Sequence, residues 1–368
     1  MKKNASVPYA RRKFIKTAAA GIAGASLLTG TSSLPYIAGR GKKKVGYALV
    51  GLGYYSTDVL APALQETETA YLAGIVTGTP AKEQRWMEKY NIPKKNVYNY
   101  ENFDSIADNP DIDIVYIVLP NSMHKEFTIR AAKAGKHVLC EKPMAMNAKE
   151  CREMIEACEE NNVLLSIGYR LHYDPYNIEV MRLGQEEVYG MVKHISCGSA
   201  FSNSSTDHWK LRPEMGGGSM MDMGVYPLQA ARYVTGEEPV TVTAQGYSMR
   251  DAYQDINEAV NFQLKFPGGT IANLSTGFHA SFNYLLVSAE RGRFELQPYS
   301  GYGGIKGRTR DGELSFPRIN QQAAQMDDFA LSVREGKGVR VTGEEGLKDM
   351  IVVDAIYKAI KKKCEVEI

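Results

Sequence analysis

Asp222 and Tyr226 stand four residues apart behind three consecutive glycines, in Gly216-Gly217-Gly218-Ser219-Met220-Met221-Asp222-Met223-Gly224-Val225-Tyr226. The glycines read as the opening of a helix, and positions i and i+4 of a helix share one face. Carboxylate and phenol, both groups of general acid–base chemistry, therefore point together at one substrate atom. A second segment, Gly135-Lys136-His137-Val138-Leu139-Cys140-Glu141-Lys142-Pro143-Met144-Ala145, sets Glu141-Lys142-Pro143 at the end of an apolar run that reads as a strand. That is the edge at which open α/β sheets bind ligands, and Pro143 fixes the chain direction there. A loop lysine is ordinarily exposed, so Lys142 carries no assignment on its own.

A third group of residues would hold a dinucleotide. Val45-Gly46-Tyr47-Ala48-Leu49-Val50 reads as a strand and runs directly into Gly51-Leu52-Gly53-Tyr54-Tyr55-Ser56. Glycine at 51 allows the tight turn, and glycine at 53 lets the backbone approach a pyrophosphate resting on the next helix's N-terminus. Ser56 departs from the usual small third position. At the end of the next strand, Val76-Thr77-Gly78-Thr79, no acid is present to bond a ribose 2′-hydroxyl or to repel a 2′-phosphate. Lys82 follows within one helical turn, and a cation with two hydroxyls suits a phosphate. NADP is the expected cofactor; a solvated lysine after a turn is the competing reading of Lys82.

The elements needed to position these groups are legible. Apolar runs at Tyr71 to Thr77, Asp113 to Leu119, Lys136 to Cys140 and Val163 to Gly168, with a weaker one at Asn96 to Tyr98, alternate with stretches of helical period. This predicts a doubly wound parallel sheet, an N-terminal Rossmann domain over residues 42–170. After Tyr173 the runs Val192 to Ala200, Val240 to Tyr247, Ala259 to Phe266, Thr270 to Thr276, Leu285 to Ala289 and Arg293 to Gln297 follow one another at hairpin spacing, with turns at Pro267-Gly268-Gly269 and Glu290-Arg291-Gly292. They predict an α+β domain over 171–368 with a large, mostly antiparallel open sheet, closed by helices near Gln321 to Glu335 and Glu344 to Lys363.

Taken with Leu119-Pro120-Asn121-Ser122-Met123-His124, Gly168-Tyr169-Arg170-Leu171-His172-Tyr173-Asp174-Pro175 and Trp209-Lys210-Leu211-Arg212, these motifs resemble the Gfo/Idh/MocA oxidoreductase family from about Val45 to Ile360. Tyr226, where the dehydrogenase branch usually has His, is similar to the branch of glucose–fructose oxidoreductase and its aldose-oxidising relatives. The resemblance implies an NADP-dependent sugar oxidoreductase that oxidises an aldose at C1 and passes the hydride to a second sugar; a simple sugar dehydrogenase and an NAD(P)-dependent glycosidase are the alternatives. It implies Lys142, Tyr226 and Asp222 as catalytic residues, with Lys142 beside the nicotinamide. A phenol ionises near 10, and a close cation lowers that at about 1.4 kcal/mol per unit. Lys142 would stabilise the Tyr226 phenolate in this way. Cofactor contacts are implied for Gly51, Leu52, Gly53, Tyr55, Thr77, Gly78, Lys82, Leu119, Asn121, His124, Glu141, Lys142 and Arg170. Substrate contacts are implied for Lys142, His172, Trp209, Arg212, Asp222 and Tyr226; packing accounts equally well for His172 and Trp209. The outer face of the second sheet is expected to be apolar and to join copies into a homodimer or homotetramer.

Bulk properties agree with a small neutral substrate. Lys and Arg number 44 against 42 Asp and Glu, too even a balance to gather nucleic acid or an anionic membrane. Five cysteines without a C-x-x-C pair give neither a disulfide framework nor a metal site. Residues 1–41 read as a signal and short linker: Arg11-Arg12-Lys13-Phe14-Ile15-Lys16 precedes a weakly apolar run from Thr17 to Leu28, too short and polar to anchor in a bilayer. The paired arginines resemble a twin-arginine export signal, so a periplasmic or otherwise exported location is expected. The glucose–fructose enzyme resembles this chain but has a long proline-rich arm before its first strand. The short segment with Leu34-Pro35-Tyr36 here implies looser retention of NADP.

Overall fold

The computed structural model describes residues 44–368; the predicted export signal falls on residues outside these. Strands β1 (Val45–Val50), β2 (Ala70–Val76), β3 (Val97–Tyr98), β4 (Ile114–Ile117), β5 (His137–Cys140) and β6 (Leu165–Ile167) form one parallel sheet in the order β3-β2-β1-β4-β5-β6. This is the order that leaves a crevice beyond the carboxyl ends of β1 and β4, where the winding reverses. β1 and β4 are buried along their whole length, as both faces of a parallel sheet must be. Helices α3 (His124–Lys133) and α4 (Ala148–Glu160) cover one face through Phe127, Ala131 and Met154. The other is covered by α1 (Ala61–Glu66), α2 (Pro80–Tyr90) and, from far along the chain, α7 (Gln321–Glu335). Met326, Phe329 and Ala330 of α7 pack with Tyr47 and Leu49 of β1, and the Tyr47 hydroxyl donates to the Met326 carbonyl at 2.8 Å.

The second sheet has nine strands: β7 (Val192–Ala200), β8 (Thr241–Tyr247), β9 (Ala259–Lys265), β10 (Ile271–Gly277), β11 (Phe282–Ala289), β12 (Gly292–Leu296), β13 (Gly307–Thr309), β14 (Gly312–Leu314) and β15 (Val366–Glu367), ordered β14-β13-β12-β11-β7-β10-β9-β8-β15. All pairs are antiparallel except β7 with β10. Helices α5 (Pro175–Gln185), α6 (Val225–Thr235) and α8 (Gly343–Lys362) lie on its inner face, and α8 also packs on α4. Asp174 caps α5 by accepting the Tyr176 and Asn177 N–H groups, and left-handed Gly236 ends α6.

The outer face of this sheet differs from expectation. It presents Thr243, Gln245, Asn261, Gln263, Asn273 and Ser275, with Tyr247, Ile271 and Leu286 as scattered exceptions. The polar groups satisfy one another across strands: Gln263 donates to Asn273 at 2.8 Å and Ser275 to Asn261 at 2.7 Å. A face with this composition gains little from burial, so the apolar surface expected there is absent.

Candidate active site

The glycine turn closes tightly against the neighbouring strand. Gly51 has φ +89°, and a Cβ there would lie 2.4 Å from the Val118 carbonyl oxygen. Gly53 has nothing within 4 Å of where its Cβ would stand, which leaves a bare stretch of backbone ahead of the helical turn Tyr55–Leu60. Such a cradle fits a dinucleotide pyrophosphate. Ser56, the odd third residue of the motif, is fully buried and donates its hydroxyl to the Gly51 carbonyl at 2.5 Å, locking the turn from below.

At the end of β2, Lys82 reaches back and donates to the Leu52 carbonyl at 2.8 Å, bridging the second strand's end to the glycine turn. Thr77, Thr79 and Lys82 line the same cavity. Gly78 does not line it; the space of its side chain is taken by the Tyr100 ring, whose Cε2 would be 2.8 Å from a Cβ. Gly78 thus shapes the pocket by admitting Tyr100.

The cavity is about 920 Å³ and runs from this turn to the inner side of the second sheet. Leu52, Tyr55, Leu119, Asn121, His124, Glu141, Lys142, Arg170, Trp209, Asp222 and Tyr226 all line it. His124 and Asn121 also fasten its walls. The His124 ring nitrogens lie 2.9 Å from the Leu119 and Pro143 carbonyls, pinning two loops together, and the Asn121 amide donates to the Gly216 carbonyl at 2.8 Å. Glu141 is buried and accepts from the Tyr116 hydroxyl at 2.5 Å and the Lys142 N–H at 3.2 Å; burial holds its carboxyl above the usual range.

Tyr226 sits between two cations. The Lys142 ammonium lies 4.6 Å from the ring centroid, and an Arg170 guanidinium nitrogen donates to the Tyr226 hydroxyl at 3.4 Å. Burial alone would push the phenol up; Arg170 first and Lys142 second outweigh it and bring the phenol below its ordinary value. Lys142 donates to the Asp222 main-chain carbonyl at 2.6 Å, and Lys210 holds the Asp222 carboxylate at 2.8 Å. Asp222 lies in the π-helical turn Met220–Gly224 that leads into α6, so it reaches the cleft with Tyr226.

Two expected substrate contacts lie elsewhere. His172 is half-buried outside the cleft, 4.2 Å from the Tyr233 ring and edge-on to it, and desolvation of the ring lowers its pKa to about 4. Arg212 is turned to solvent and pairs with Asp207 at 2.9 Å. Arg170, expected to contact the cofactor, directs its two terminal guanidinium nitrogens to the Ser300 and Gly301 carbonyls, Gln321 and Tyr226. Conversely, Phe201, Asn203, Ser205, His208, Lys210, Asn283, Ser300 and Tyr302 line the cleft without having been singled out. Tyr302 stacks on Arg170, 4.4 Å from guanidinium carbon to ring centroid. Its setting, Gly301-Tyr302-Gly303-Gly304, is the signal that marks it: one aromatic held out on a glycine-rich loop.

Residues 45–169 match the family model described as "Oxidoreductase family, NAD-binding Rossmann fold", and residues 178–297 match the GFO/IDH/MocA C-terminal domain. The chain belongs to the Gfo/Idh/MocA oxidoreductase family. Like other Gfo/Idh/MocA proteins it is an NAD(P)-dependent oxidoreductase, and the six-strand sheet with its nine-strand companion is the family's fold. Among solved Gfo/Idh/MocA structures it is similar to the aldose-aldose oxidoreductase of Caulobacter crescentus, at 41% identity over 88% of this chain and all of the other, with a TM-score of 0.86. It is 27% identical to D-xylose 1-dehydrogenase [NADP(+)] of Haloarcula marismortui, over 88% of this chain and 93% of that protein. It is 28% identical to dTDP-3,4-didehydro-2,6-dideoxy-alpha-D-glucose 3-reductase of Saccharopolyspora spinosa, over 87% and 97% respectively.

Proposed function

We propose that the chain is an NADP-dependent sugar oxidoreductase that oxidises an aldose at C1 and hands the hydride to a second sugar. The observation that carries this reading is the Tyr226 phenol between Arg170 and Lys142, in one cavity with the Gly51–Gly53 cradle. The likeness to an aldose-aldose oxidoreductase supports the substrate class, and the acid-free β2 end with Thr77, Thr79 and Lys82 at the cavity wall supports NADP over NAD. We further propose export by the twin-arginine route, on Arg11-Arg12 and the run that follows, and assembly as a homodimer or homotetramer.

Gly51, Leu52, Gly53 and Tyr55 would hold the pyrophosphate end, and Thr77, Thr79 and Lys82 the 2′-phosphate. When bound, NADP supplies the position that accepts a hydride and later gives it up. Tyr226, held as phenolate by Arg170 and Lys142, takes the proton of the sugar's C1 hydroxyl and becomes a neutral phenol. Asp222 accepts a hydrogen bond from a sugar hydroxyl and so orients the ring. Trp209 and Phe201 give the sugar an apolar wall. In the reductive half Tyr226 returns its proton to the second sugar's oxygen.

The test is the absorbance of the purified protein in the reduced-nicotinamide band before and after adding an aldose, with no cofactor supplied. The band should appear with the aldose and fade when a second sugar follows. No change with any aldose, on protein shown to contain NADP, refutes the reading.

A further inference from the structure

The Asp222 carboxylate is held chiefly by one residue. Lys142 directs its ammonium to the Asp222 main-chain carbonyl at 2.6 Å and stands 3.9 Å from Oδ1. Lys210 Nζ lies 2.8 Å from Oδ2. Lys210 is attached to the same turn by its main chain as well, because its carbonyl accepts the Gly218 N–H at 2.8 Å. A Cβ on Gly217 would meet that carbonyl at 2.4 Å, and the Gly217 N–H donates to the Arg212 carbonyl at 3.0 Å. The glycine run therefore lets the Trp209–Leu211 turn lie flat on the entrance to the Asp222–Tyr226 segment. His208 and Trp209, which precede Lys210, are cleft wall.

We propose that Lys210 is a positioning residue, fixing Asp222 as an oriented anion and tying its placement to the cleft wall that carries Trp209. The consequence for catalysis rests on the sugar oxidoreductase reading; the pairing itself does not. The groups facing Asp222 are Lys210, Lys142 and His208, with Tyr302 opposite. Burial pushes the carboxyl up, and Lys210, then Lys142, overcome this and keep it below the usual carboxylate range. With Lys210 gone, the cation left near a side-chain oxygen is one committed to the main chain.

The experiment follows the carboxyl carbon resonance of Asp222 by NMR in the full-length protein with labelled aspartate, assigned through Asp222→Asn. The same preparations give single-turnover reduction of bound NADP by an aldose across pH. In Lys210→Met the Asp222 midpoint should rise by about one unit or more, and single-turnover reduction should slow about tenfold or more, most at acid pH. Lys210→Arg should recover most of both. An Asp222 midpoint unchanged in Lys210→Met overturns the proposal, as does a loss confined to KM with kcat and its pH profile intact, which would make Lys210 a plain substrate contact. A shifted midpoint in a protein that no aldose reduces would leave the pairing standing and remove the sugar reading alone.

Discussion

Arg170 donates to the Tyr226 hydroxyl at 3.4 Å while its own guanidinium is clamped by the Ser300 and Gly301 carbonyls. The cation beside the phenol is thus immobile, which suits a charge that must be stabilised without rearrangement. Because the folded phenol is held below its ordinary value, the aldose-oxidising half-reaction should quicken as pH rises through that pKa, and the reductive half-reaction should quicken as pH falls. Arg170→Gln should move both limbs to higher pH. Stopped-flow rates of the two half-reactions across pH measure this; limbs that stay in place would assign the lowering to Lys142.

Tyr226→Phe keeps the ring beneath Lys142 and removes only the ionisable oxygen. Single-turnover aldose oxidation should fall by a factor on the order of 100 to 10,000, the usual range for a positioned acid–base group. Affinity for NADP, followed by quenching of protein fluorescence, should be nearly unchanged. Turnover close to normal would take Tyr226 out of the mechanism.

Lys82 bonds the Leu52 carbonyl and lines the cavity beyond β2. Lys82→Ala should weaken NADP by roughly 10- to 100-fold, the loss of one charge-assisted contact of about 1.5–3 kcal/mol, and weaken NAD much less. Titrating both dinucleotides against the variant checks this. Equal losses would mean that Lys82 supports the glycine turn and does not read the phosphate.

The Arg232 side chain is 1% exposed and donates to Asp349, itself fully buried, as well as to Glu238 at 2.6 Å and Glu345 at 3.1 Å. Arg232→Met leaves the Asp349 charge buried without its cation and should cost about 3–5 kcal/mol in urea unfolding. Pairing it with Asp349→Leu should restore much of that loss. Equal losses in the single and double variants would show that packing, not charge, is at stake.

The fold was largely legible because its signals are local. A short β-branched run ending in glycine, or alternating polar and apolar residues, declares a strand wherever it occurs, and the predicted Val192 to Ala200 run coincides with β7. The site was legible where a residue's role follows from main-chain geometry, as at Gly51, or from helical spacing, as at Asp222 and Tyr226. It failed where side-chain direction matters. Arg170 to Tyr173 form a 3₁₀ turn, whose successive side chains diverge by about 120°. Arg170 therefore enters the cleft and His172 leaves it, though motif reading put both at the ligands. Arg212 parts from Lys210 for another reason: it leaves the Trp209–Leu211 turn in extended backbone, φ −107° and ψ 112°, and so turns to solvent. Tyr302 and Asn283 come from strand ends and loops brought to the cavity only by the second sheet's register, which no short motif records.

Helix α7 has a further implication for how the molecule is made. Its residues complete the face of β1 and β2 although more than 240 positions separate them in the chain, as with Asp327 accepting the Thr69 N–H at 2.7 Å. A ribosome therefore finishes the dinucleotide-binding half almost last. Until Gln321–Glu335 emerges, that sheet keeps an oily flank open to water, so a fragment ending near residue 300 would be prone to clump, and grafting the first half alone onto another protein would carry the same liability.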